Sequence, residues 1–399
     1  MIKYAILGYG TVGTGVAEVM AEQREKIAAL AGEPVELKYI LVRRDFPGDP
    51  FEACMVRDFS RIEEDPEVSI VAEVMGGVGA AYEYSRRALL AGKSVVSSNK
   101  ELVAVHGAEL NELARANNVC YLFEGSVGGG IPLLRPLVQC LAANRIDEVF
   151  GILNGTTNFI LTAMDEKGAS FAEVLKQAQE LGYAEADPTA DVEGIDACRK
   201  TAILADLSFG YNMDVTKIPT RGITQITGAD MELAHALGYT VKLLGRARRT
   251  EGGCCAFVEP HLIPEDKPLA SVKGVMNACV VRGSAVGEVM FYGPGAGKRP
   301  TASAVAADIV DAAMHRRFRK DTDLGRPGGL LAPADKLESR WFVRTASAPD
   351  TVMAFFGGAA APVYGSSQEG GFITPPMDRQ TLAEKLGAID VRAVYRVLD

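Results

Sequence analysis

The sequence contains little that suits a secreted or membrane-embedded protein. Its seven cysteines are spread over 399 residues without a C-x-x-C pair. This excludes a disulfide-rich scaffold and a zinc site of paired cysteines, and it favours reduced thiols. No apolar run reaches the ~18 residues that a transmembrane helix needs. The first ten residues, MIKYAILGYG, contain no basic segment and no A-x-A cleavage site, so we predict no secretory signal and a cytoplasmic location.

A surplus of positive charge is also absent. The net charge is −9, with 48% hydrophobic and 23% charged residues. These values argue against a nucleic-acid-binding protein, which needs a basic surface, and they are typical of a globular protein with sizeable cores. The length predicts two or three domains.

The first 125 residues alternate between strand and helix patterns. Short apolar segments begin near residues 3, 35, 68, 94 and 119, and helical patterns cover 11–30, 81–93 and 101–118. Such alternation predicts an α/β domain with a doubly wound parallel sheet. The pattern then changes: we predict an α+β domain over 126–321, a linker rich in Gly and Pro over 322–338, and a small α+β unit over 339–399.

The segment GYGTVG places Gly8, Gly10 and Gly13 in G-x-G-x-x-G spacing between a predicted strand and a predicted helix. In that context the glycines allow a tight turn, close approach of a pyrophosphate and close helix packing, while the helix N-terminus attracts phosphate. We therefore predict that a dinucleotide binds here.

The end of the second strand reads VRRD. An acid at this position binds the ribose of NAD, whereas an arginine accommodates the 2′-phosphate of NADP. Arg43 and Arg44 thus favour NADP(H), and Asp45 leaves NAD(H) open. Two exposed basic residues without a binding role are the alternative.

Two further segments have polar residues at the ends of predicted elements. SSNK places Lys100 after a sheet strand, either as a solvated end or facing the crevice where doubly wound folds bind ligands. In NGTTNFIL, Thr156 or Thr157 could bind a substrate carboxylate, but a helix cap is the better interpretation.

The stretch EADPTADVEGIDACRK, Glu185–Lys200, gathers five carboxylates within sixteen residues. Solvated charge is the ordinary explanation of such a run, and EF-hand spacing is absent. If the segment from 192 is helical, Asp196 and Lys200 lie one turn apart on one face. The apolar residues around them predict a largely buried helix, and a buried lysine beside a carboxylate indicates a functional site.

Six ordered motifs resemble homoserine dehydrogenase, an NAD(P)-dependent oxidoreductase that interconverts L-homoserine and L-aspartate 4-semialdehyde. They are GYGTVG, SSNKELVA, EGSVGGGIP, LNGTTNFIL, GYAEADPTADVEGIDACRK and GPGAGKRPTASAVAAD, and the resemblance covers residues 1 to about 317. It implies a Rossmann domain over 1–125, a catalytic and dimerisation domain over 126–321 whose helix after Gly297 returns to the Rossmann domain, and a role in threonine, methionine and isoleucine biosynthesis.

The resemblance also implies roles for individual residues. Lys200 is the expected proton donor, and Lys100 is expected beside cofactor and substrate. The remaining implied sites are for substrate (Glu185, Asp191, Asp196, Gly155, Thr156), cofactor (Gly8, Gly10, Thr11, Val12, Gly13, Ser98, Gly295, Gly297) and a sodium ion (oxygens of Glu124, Val127, Gly129, Ile131). The resemblance further implies that the small-molecule substrate is homoserine or aspartate semialdehyde and that the chain forms a homodimer or homotetramer.

The last part of the chain departs from the family pattern. FITPPMDRQTLAEKLGAIDVRAVYRVLD resembles the second half of an ACT domain, but Asp350 stands where the first half should carry a turn glycine. The resemblance thus implies a degenerate ACT-like unit over 339–399 with weak effector binding. Two other functions remain as alternatives: a related amino-acid or amino-aldehyde dehydrogenase, which a substrate panel would distinguish, and a non-catalytic nucleotide sensor, which a turnover assay would distinguish.

Overall fold

A computed structural model of the chain describes residues 1–316, 319–320, 323–327, 331–357, 362–366 and 368–399. Its internal contacts divide the chain into two units. Unit 1 comprises Met1–Ile146, Ala202–Val215 and Arg282–Gly329, and unit 2 comprises Asp147–Thr201, Thr216–Val281 and Leu330–Asp399. The predicted linker at 322–338 falls partly outside the described residues.

The first 122 residues form alternating strands and helices. In chain order these are β1 (Ile2–Leu7), α1 (Thr11–Glu22), α2 (Arg24–Ala31), β2 (Val35–Leu41), β3 (Met55–Val56), α3 (Ser60–Glu63), β4 (Val68–Glu73), α4 (Gly79–Leu90), β5 (Ser94–Ser97), α5 (Lys100–Ala116) and β6 (Tyr121–Leu122).

The six strands form one parallel sheet in the order β3-β2-β1-β4-β5-β6. This confirms the predicted Rossmann-type sheet, whose order reverses beside β1. Two local predictions were wrong. The helix predicted over 11–30 is interrupted at Gln23, which has φ −104° and ψ 15°. The second strand ends at Leu41, so Arg43 and Arg44 lie in the loop that follows it.

The remaining elements are β7 (Ile146–Ile152), α6 (Gly155–Lys167), α7 (Phe171–Glu180), α8 (Thr189–Val192), α9 (Ile195–Phe209), β8 (Tyr211–Asn212), α10 (Gly228–Ala236), β9 (Tyr239–Thr250), β10 (Gly253–Pro264), β11 (Met276–Gly283), β12 (Gly287–Pro294), α11 (Lys298–Met314), β13 (Arg326–Pro327), β14 (Trp341–Thr345), α12 (Pro349–Phe355), β15 (Val363–Tyr364), β16 (Gly370–Ile373), α13 (Arg379–Leu386) and β17 (Val391–Val397).

Helix α11 belongs to unit 1 and packs against α1. Small residues permit the close approach: a Cβ on Gly15 would lie 2.9 Å from the Lys298 carbonyl oxygen and 3.0 Å from the Ala302 Cβ. Val305 and Ile309 are fully buried in the same core as the sheet residues of unit 1. A segment distant in sequence thus completes the core of the parallel sheet.

In unit 2, strands pair in a mixed sheet in the order β11-β7-β9-β10-β17-β14-β16-β15. Strands β9 and β10 form a long antiparallel hairpin, and β17 pairs in parallel with β10 through His261 and Arg396. The mixed sheet and its helices agree with the predicted α+β class.

The segment from Trp341 to Val397 follows a β-α-β-β-α-β path whose strands lie in the order β17-β14-β16-β15. A buried charge network supports it: Arg396 is fully buried, pairs with Glu259 at 2.7 Å and lies 4.3 Å from the Trp341 ring. Burial by itself would raise the pKa of Glu259, but the charges of Arg396 and Arg379 lower it to about 2. Removing this segment would take away both of these charge partners of Glu259.

Within the part of the chain that the structure describes, no helix is both long and apolar enough to cross a membrane.

Candidate active site

The glycine turn after β1 has the geometry of a phosphate-binding loop. Gly8 has φ +96°, and a Cβ on Gly13 would lie 2.1 Å from the Gly8 carbonyl oxygen, so neither position accepts a side chain. A Cβ on Gly10 would meet nothing within 4 Å. Because Gly10 is the N-cap of α1, with Thr11 and Val12 following, this open space lies at a helix N-terminus. The turn therefore fits a pyrophosphate.

A cleft of about 510 Å³ lies beside this turn in unit 1. Its lining includes Gly8, Gly10, Arg43, Arg44 and Arg57. The predicted arginines thus lie where the cofactor of a Rossmann domain binds. Sequence reasoning missed Arg57, which lies just after the two-residue strand β3, an element too short to show a pattern.

Arg57 also changes the interpretation of Asp45, the residue that left NAD open. Its guanidinium donates to the Arg43 carbonyl oxygen at 2.5 Å and pairs with the Asp45 carboxylate. The only acid in the VRRD segment is therefore already bonded to an arginine. The loop presents mainly positive charge to the cleft.

Lys100 is the first residue of α5, and hydrogen bonds of Ser97 and Asn99 stabilise the turn before it. The Asn99 side chain caps the helix by accepting from the Leu102 N–H at 3.1 Å. Ser97 donates to the buried Glu73 carboxylate at 2.6 Å and accepts from the Asn99 N–H at 3.0 Å. Burial raises the pKa of Glu73 to about 7 against the opposing effect of these hydrogen bonds. Ser98 follows β5 directly, so Ser98 and Lys100 both lie at the carboxyl end of the parallel strands.

The predicted cation-binding turn follows β6. Both carboxylate oxygens of the buried Glu124 accept backbone N–H bonds, from Leu133 (2.5 Å), Leu134 (2.8 Å) and Arg135 (2.7 Å). The Glu124 N–H donates to Asp308 of α11 at 2.8 Å. The Glu124 side chain therefore closes the turn from residue 124 to residue 135.

Within this turn, Gly129 has φ +55°, and a Cβ there would lie 2.4 Å from the Gly295 carbonyl oxygen. Gly130 donates to the Pro294 carbonyl at 3.1 Å. Gly297 caps α11 with φ +120°. The two glycine turns predicted separately, at 128–130 and 295–297, thus lie in contact within unit 1.

In unit 2, α9 brings Asp196 and Lys200 together as predicted. The Lys200 Nζ donates to Asp196 Oδ2 at 2.7 Å and to the Leu153 carbonyl oxygen at 2.7 Å. Asp196 is 3% exposed and Lys200 is 7% exposed. The first residue of this helix, Ile195, is 39% exposed, although the apolar pattern predicted a largely buried helix. A surface ion pair is thereby excluded for Asp196 and Lys200, because both charged groups are removed from bulk water.

Asn154 connects this pair to a second carboxylate. Its Nδ2 donates to Asp196 Oδ2 at 2.9 Å and to Asp191 Oδ1 at 2.7 Å. Its Oδ1 accepts from the Thr157 N–H at 2.8 Å and so caps α6. The prediction that Thr156 or Thr157 caps this helix was wrong, because the cap is the asparagine that precedes them.

The other predicted substrate residues lie near the start of α6 or in the loop before α8. A Cβ on Gly155 would lie 2.7 Å from the Val275 carbonyl oxygen, so the position needs glycine. The Thr156 hydroxyl donates to the Tyr183 carbonyl at 2.7 Å. Glu185 is exposed, and its carbonyl accepts from Gln179 Nε2 at 3.1 Å.

Two protein-family models match the chain. Residues 8–124 match the homoserine dehydrogenase NAD-binding domain, and residues 132–310 match homoserine dehydrogenase. The chain belongs to the homoserine dehydrogenase family. It is an oxidoreductase acting on a CH–OH group, and the family works in threonine and methionine biosynthesis.

Curated relatives and solved structures agree with this assignment. The homoserine dehydrogenase of Pseudomonas aeruginosa is 44% identical over 355 residues, covering 86% of this chain and 81% of the relative. That of Bacillus subtilis is 45% identical over 320 residues, covering 79% and 74%.

Among solved structures, a homoserine dehydrogenase from Thiobacillus denitrificans superposes with a TM-score of 0.91 at 37% identity, covering 100% of this chain and 98% of that one. A hyperthermophilic archaeal homoserine dehydrogenase in complex with NADPH superposes with a TM-score of 0.66 at 30% identity, covering 78% of this chain and 97% of that one.

Proposed function

We propose that the cluster of Asn154, Asp191, Asp196 and Lys200 forms the substrate-binding and proton-transfer centre of this homoserine dehydrogenase. The observation that carries the proposal is the buried ion pair between Asp196 and Lys200, because a desolvated lysine beside a carboxylate is costly without a function. Glu185 and Asp191 supply further negative charge for the ammonium group of the amino-acid substrate. Gly155 and Thr156 lie at the N-terminus of α6, where a substrate carboxylate is favoured.

The reaction requires a hydride and a proton. The bound nicotinamide supplies the hydride to the aldehyde carbon of aspartate semialdehyde. Negative charge then develops on the aldehyde oxygen, and the Lys200 ammonium donates the proton that completes the hydroxyl group of homoserine. In the reverse direction the neutral amine accepts that proton. Lys100, by resemblance to the family, is proposed to lie beside the bound cofactor.

A substrate panel tests the proposed activity. The purified chain should reduce L-aspartate 4-semialdehyde with NADPH at least 100-fold more efficiently than an aldehyde of equal length that lacks the amino group, because the carboxylates recognise the ammonium. Equal efficiency with both aldehydes would exclude the carboxylate cluster as the substrate site.

NADP(H) is the proposed preferred cofactor, with NAD(H) as the weaker alternative. The glycine turn and cleft fit a dinucleotide, and Arg43, Arg44 and Arg57 provide donors for a 2′-phosphate. Asp45, the acid that could bind the ribose of NAD, is exposed and pairs with Arg57, which leaves NAD(H) as the weaker alternative. The NADPH bound by the archaeal relative supports the same choice.

Changing Arg43 and Arg44 together to Ala should raise KM for NADPH at least tenfold while KM for NADH changes less than about threefold, since only NADPH carries the extra phosphate. Arg24→Ala is a matched control, because Arg24 is an arginine of unit 1 that does not line the cofactor cleft. Equal increases for the two cofactors would show that neither arginine contacts the 2′-phosphate.

Sodium is proposed to bind at the Glu124 turn. The main-chain oxygens of Val127, Gly129 and Ile131 accept no backbone hydrogen bond among the described residues outside regular elements, and all three residues are buried. Neutral carbonyl oxygens of this kind suit a hard cation. The Glu124 side chain is occupied by three N–H groups, so the Glu124 oxygen for the cation would be its carbonyl.

Sodium chloride should raise the thermal unfolding midpoint by at least about 2 °C relative to choline chloride at equal ionic strength, because an ion that binds only the folded state stabilises it. Glu124→Gln should abolish this difference, since an amide cannot accept all three N–H bonds and the turn would open. Identical midpoints in the two salts with the wild-type chain would rule out the bound ion.

The segment 339–399 is proposed to be an ACT-like unit that has lost effector binding. Its strand order supports the first part, and Asp350 in the first turn of α12 supports the second. Millimolar L-threonine should lower the activity of the full chain by less than a factor of two, and D-threonine serves as the control. Stereospecific inhibition by L-threonine would contradict this proposal. The full chain is required because truncation would remove the partners of Glu259.

We propose a homodimer or homotetramer, following the family, and a cytoplasmic location. All seven cysteines are free, which supports a reducing compartment.

A further inference from the structure

The amide of Asn154 joins the two carboxylates of the proposed site. From the structure we infer that Asn154 is a positioning residue that sets the geometry of Asp191, Asp196 and, through Asp196, Lys200. This inference deepens the proposed function and depends on it. It goes beyond the helix cap, because the cap uses only the Oδ1 atom and the carboxylate contacts use only the Nδ2 atom.

An amide is chemically suited to this position. Its NH2 group has two hydrogens in one plane, and here one is directed to each carboxylate. Asp191 and Asp196 would otherwise repel each other in a poorly solvated site. An arginine or lysine could also join them, but its charge would cancel the negative charge that attracts the substrate ammonium. Asparagine joins the carboxylates and leaves their charge available.

Asn154 acts on Lys200 through a single atom, the Oδ2 oxygen of Asp196. Asp196 Oδ2 accepts both from Asn154 Nδ2, at 2.9 Å, and from Lys200 Nζ, at 2.7 Å. The carbonyl of Leu153, the residue before Asn154, accepts a second Lys200 N–H at 2.7 Å. The two residues that follow β7 therefore both position the Lys200 ammonium. Leu153 does so directly, and Asn154 does so through Asp196. Loss of the amide would remove one of the two hydrogen bonds to Asp196 Oδ2 and would shift the position of the ammonium.

The cap and the carboxylate contacts can be separated by substitution. Serine and aspartate are both good N-cap residues, so Asn154→Ser and Asn154→Asp keep an acceptor for the Thr157 N–H. Neither provides the NH2 group. Asn154→Ser removes the link without adding charge, whereas Asn154→Asp places a third carboxylate beside Asp191 and Asp196.

The experiment measures kcat, KM for homoserine, the pH profile of kcat and the thermal midpoint of both variants. Asp378→Ser is the matched control, because Asp378 caps α13 through the Thr381 N–H at 2.7 Å. We expect Asn154→Ser to lower kcat/KM about 10- to 100-fold at temperatures where the variant is fully folded, with a fall in kcat. Its thermal midpoint should be somewhat lower than that of Asp378→Ser, because two hydrogen bonds of the amide are lost as well. Asn154→Asp should lower kcat/KM at least as much and shift the pH profile of kcat to higher pH, since added negative charge favours protonated groups.

The outcomes separate the hypotheses. A kcat/KM of Asn154→Ser within twofold of the wild-type value would overturn the inference. So would a loss of activity that only follows a loss of stability larger than that of the Asp378→Ser control. An unchanged pH profile in a folded Asn154→Asp variant would also count against it. Failure of the proposed function itself would appear differently, as absence of homoserine oxidation in the wild-type enzyme.

Discussion

Lys200→Ala should lower kcat for reduction of aspartate semialdehyde by roughly 10²–10⁴-fold, the range found for loss of a general acid. This corresponds to about 3–5 kcal/mol of transition-state stabilisation. Affinity for NADPH should change little, because Lys200 is assigned to the substrate, and its ammonium bonds Asp196 and the Leu153 carbonyl. Steady-state kinetics together with a fluorescence titration of NADPH would measure both quantities.

Lys200→Arg distinguishes proton transfer from electrostatics. Arginine keeps the positive charge but does not release a proton near neutral pH. If Lys200 is the acid, Lys200→Arg should be nearly as slow as Lys200→Ala. If the charge alone matters, Lys200→Arg should recover most of the activity. Lys176→Ala, at an exposed lysine on α7, is the control for loss of a lysine elsewhere in unit 2.

Asp196→Ala has the second large expected effect, a fall in kcat/KM of roughly 10²-fold or more. The substitution removes a carboxylate proposed to bind substrate and also the partner that positions the Lys200 ammonium. Lys200 would remain buried beside the Leu153 carbonyl with one fewer acceptor, which costs stability as well as activity. Thermal unfolding of the variant should therefore be measured with its kinetics.

The double variant of Asp196 and Lys200 tests whether the two residues act together. Because their side chains share one hydrogen bond, the combined loss should be well below the sum of the single losses in free energy. Additive losses would mean that the residues act on separate steps. In that case Asp196 binds substrate without positioning Lys200.

Some of this site follows directly from the sequence. Asp196 and Lys200 are four residues apart in an apolar segment, and helix periodicity alone places them together. Gly8, Gly10 and Gly13 have a fixed spacing set by phosphate binding. In each case the interacting residues are close in the chain, so local rules are sufficient. Most of the parallel sheet was predictable for the same reason, because β1, β4 and β5 are each followed directly by an α-helix.

Other contacts could not be found in this way. Asn154 contacts carboxylates 37 and 42 positions away, and no local pattern encodes that separation. Only its role as a cap was open to prediction, since asparagine is among the best N-cap residues. Arg57 reaches Asp45 from the position after a strand of only two residues. The break at Gln23 has no proline or glycine to mark it.

The central claim is that Lys200 donates the proton during hydride transfer, and single-turnover kinetics test it most directly. Enzyme saturated with NADPH is mixed with aspartate semialdehyde, and the loss of NADPH absorbance is followed in wild-type and Lys200→Ala enzyme. We expect a hydride-transfer rate at least about 100-fold lower in the variant, with NADPH still bound. A near wild-type rate in Lys200→Ala would contradict it and would make Lys100 the first candidate for the proton donor.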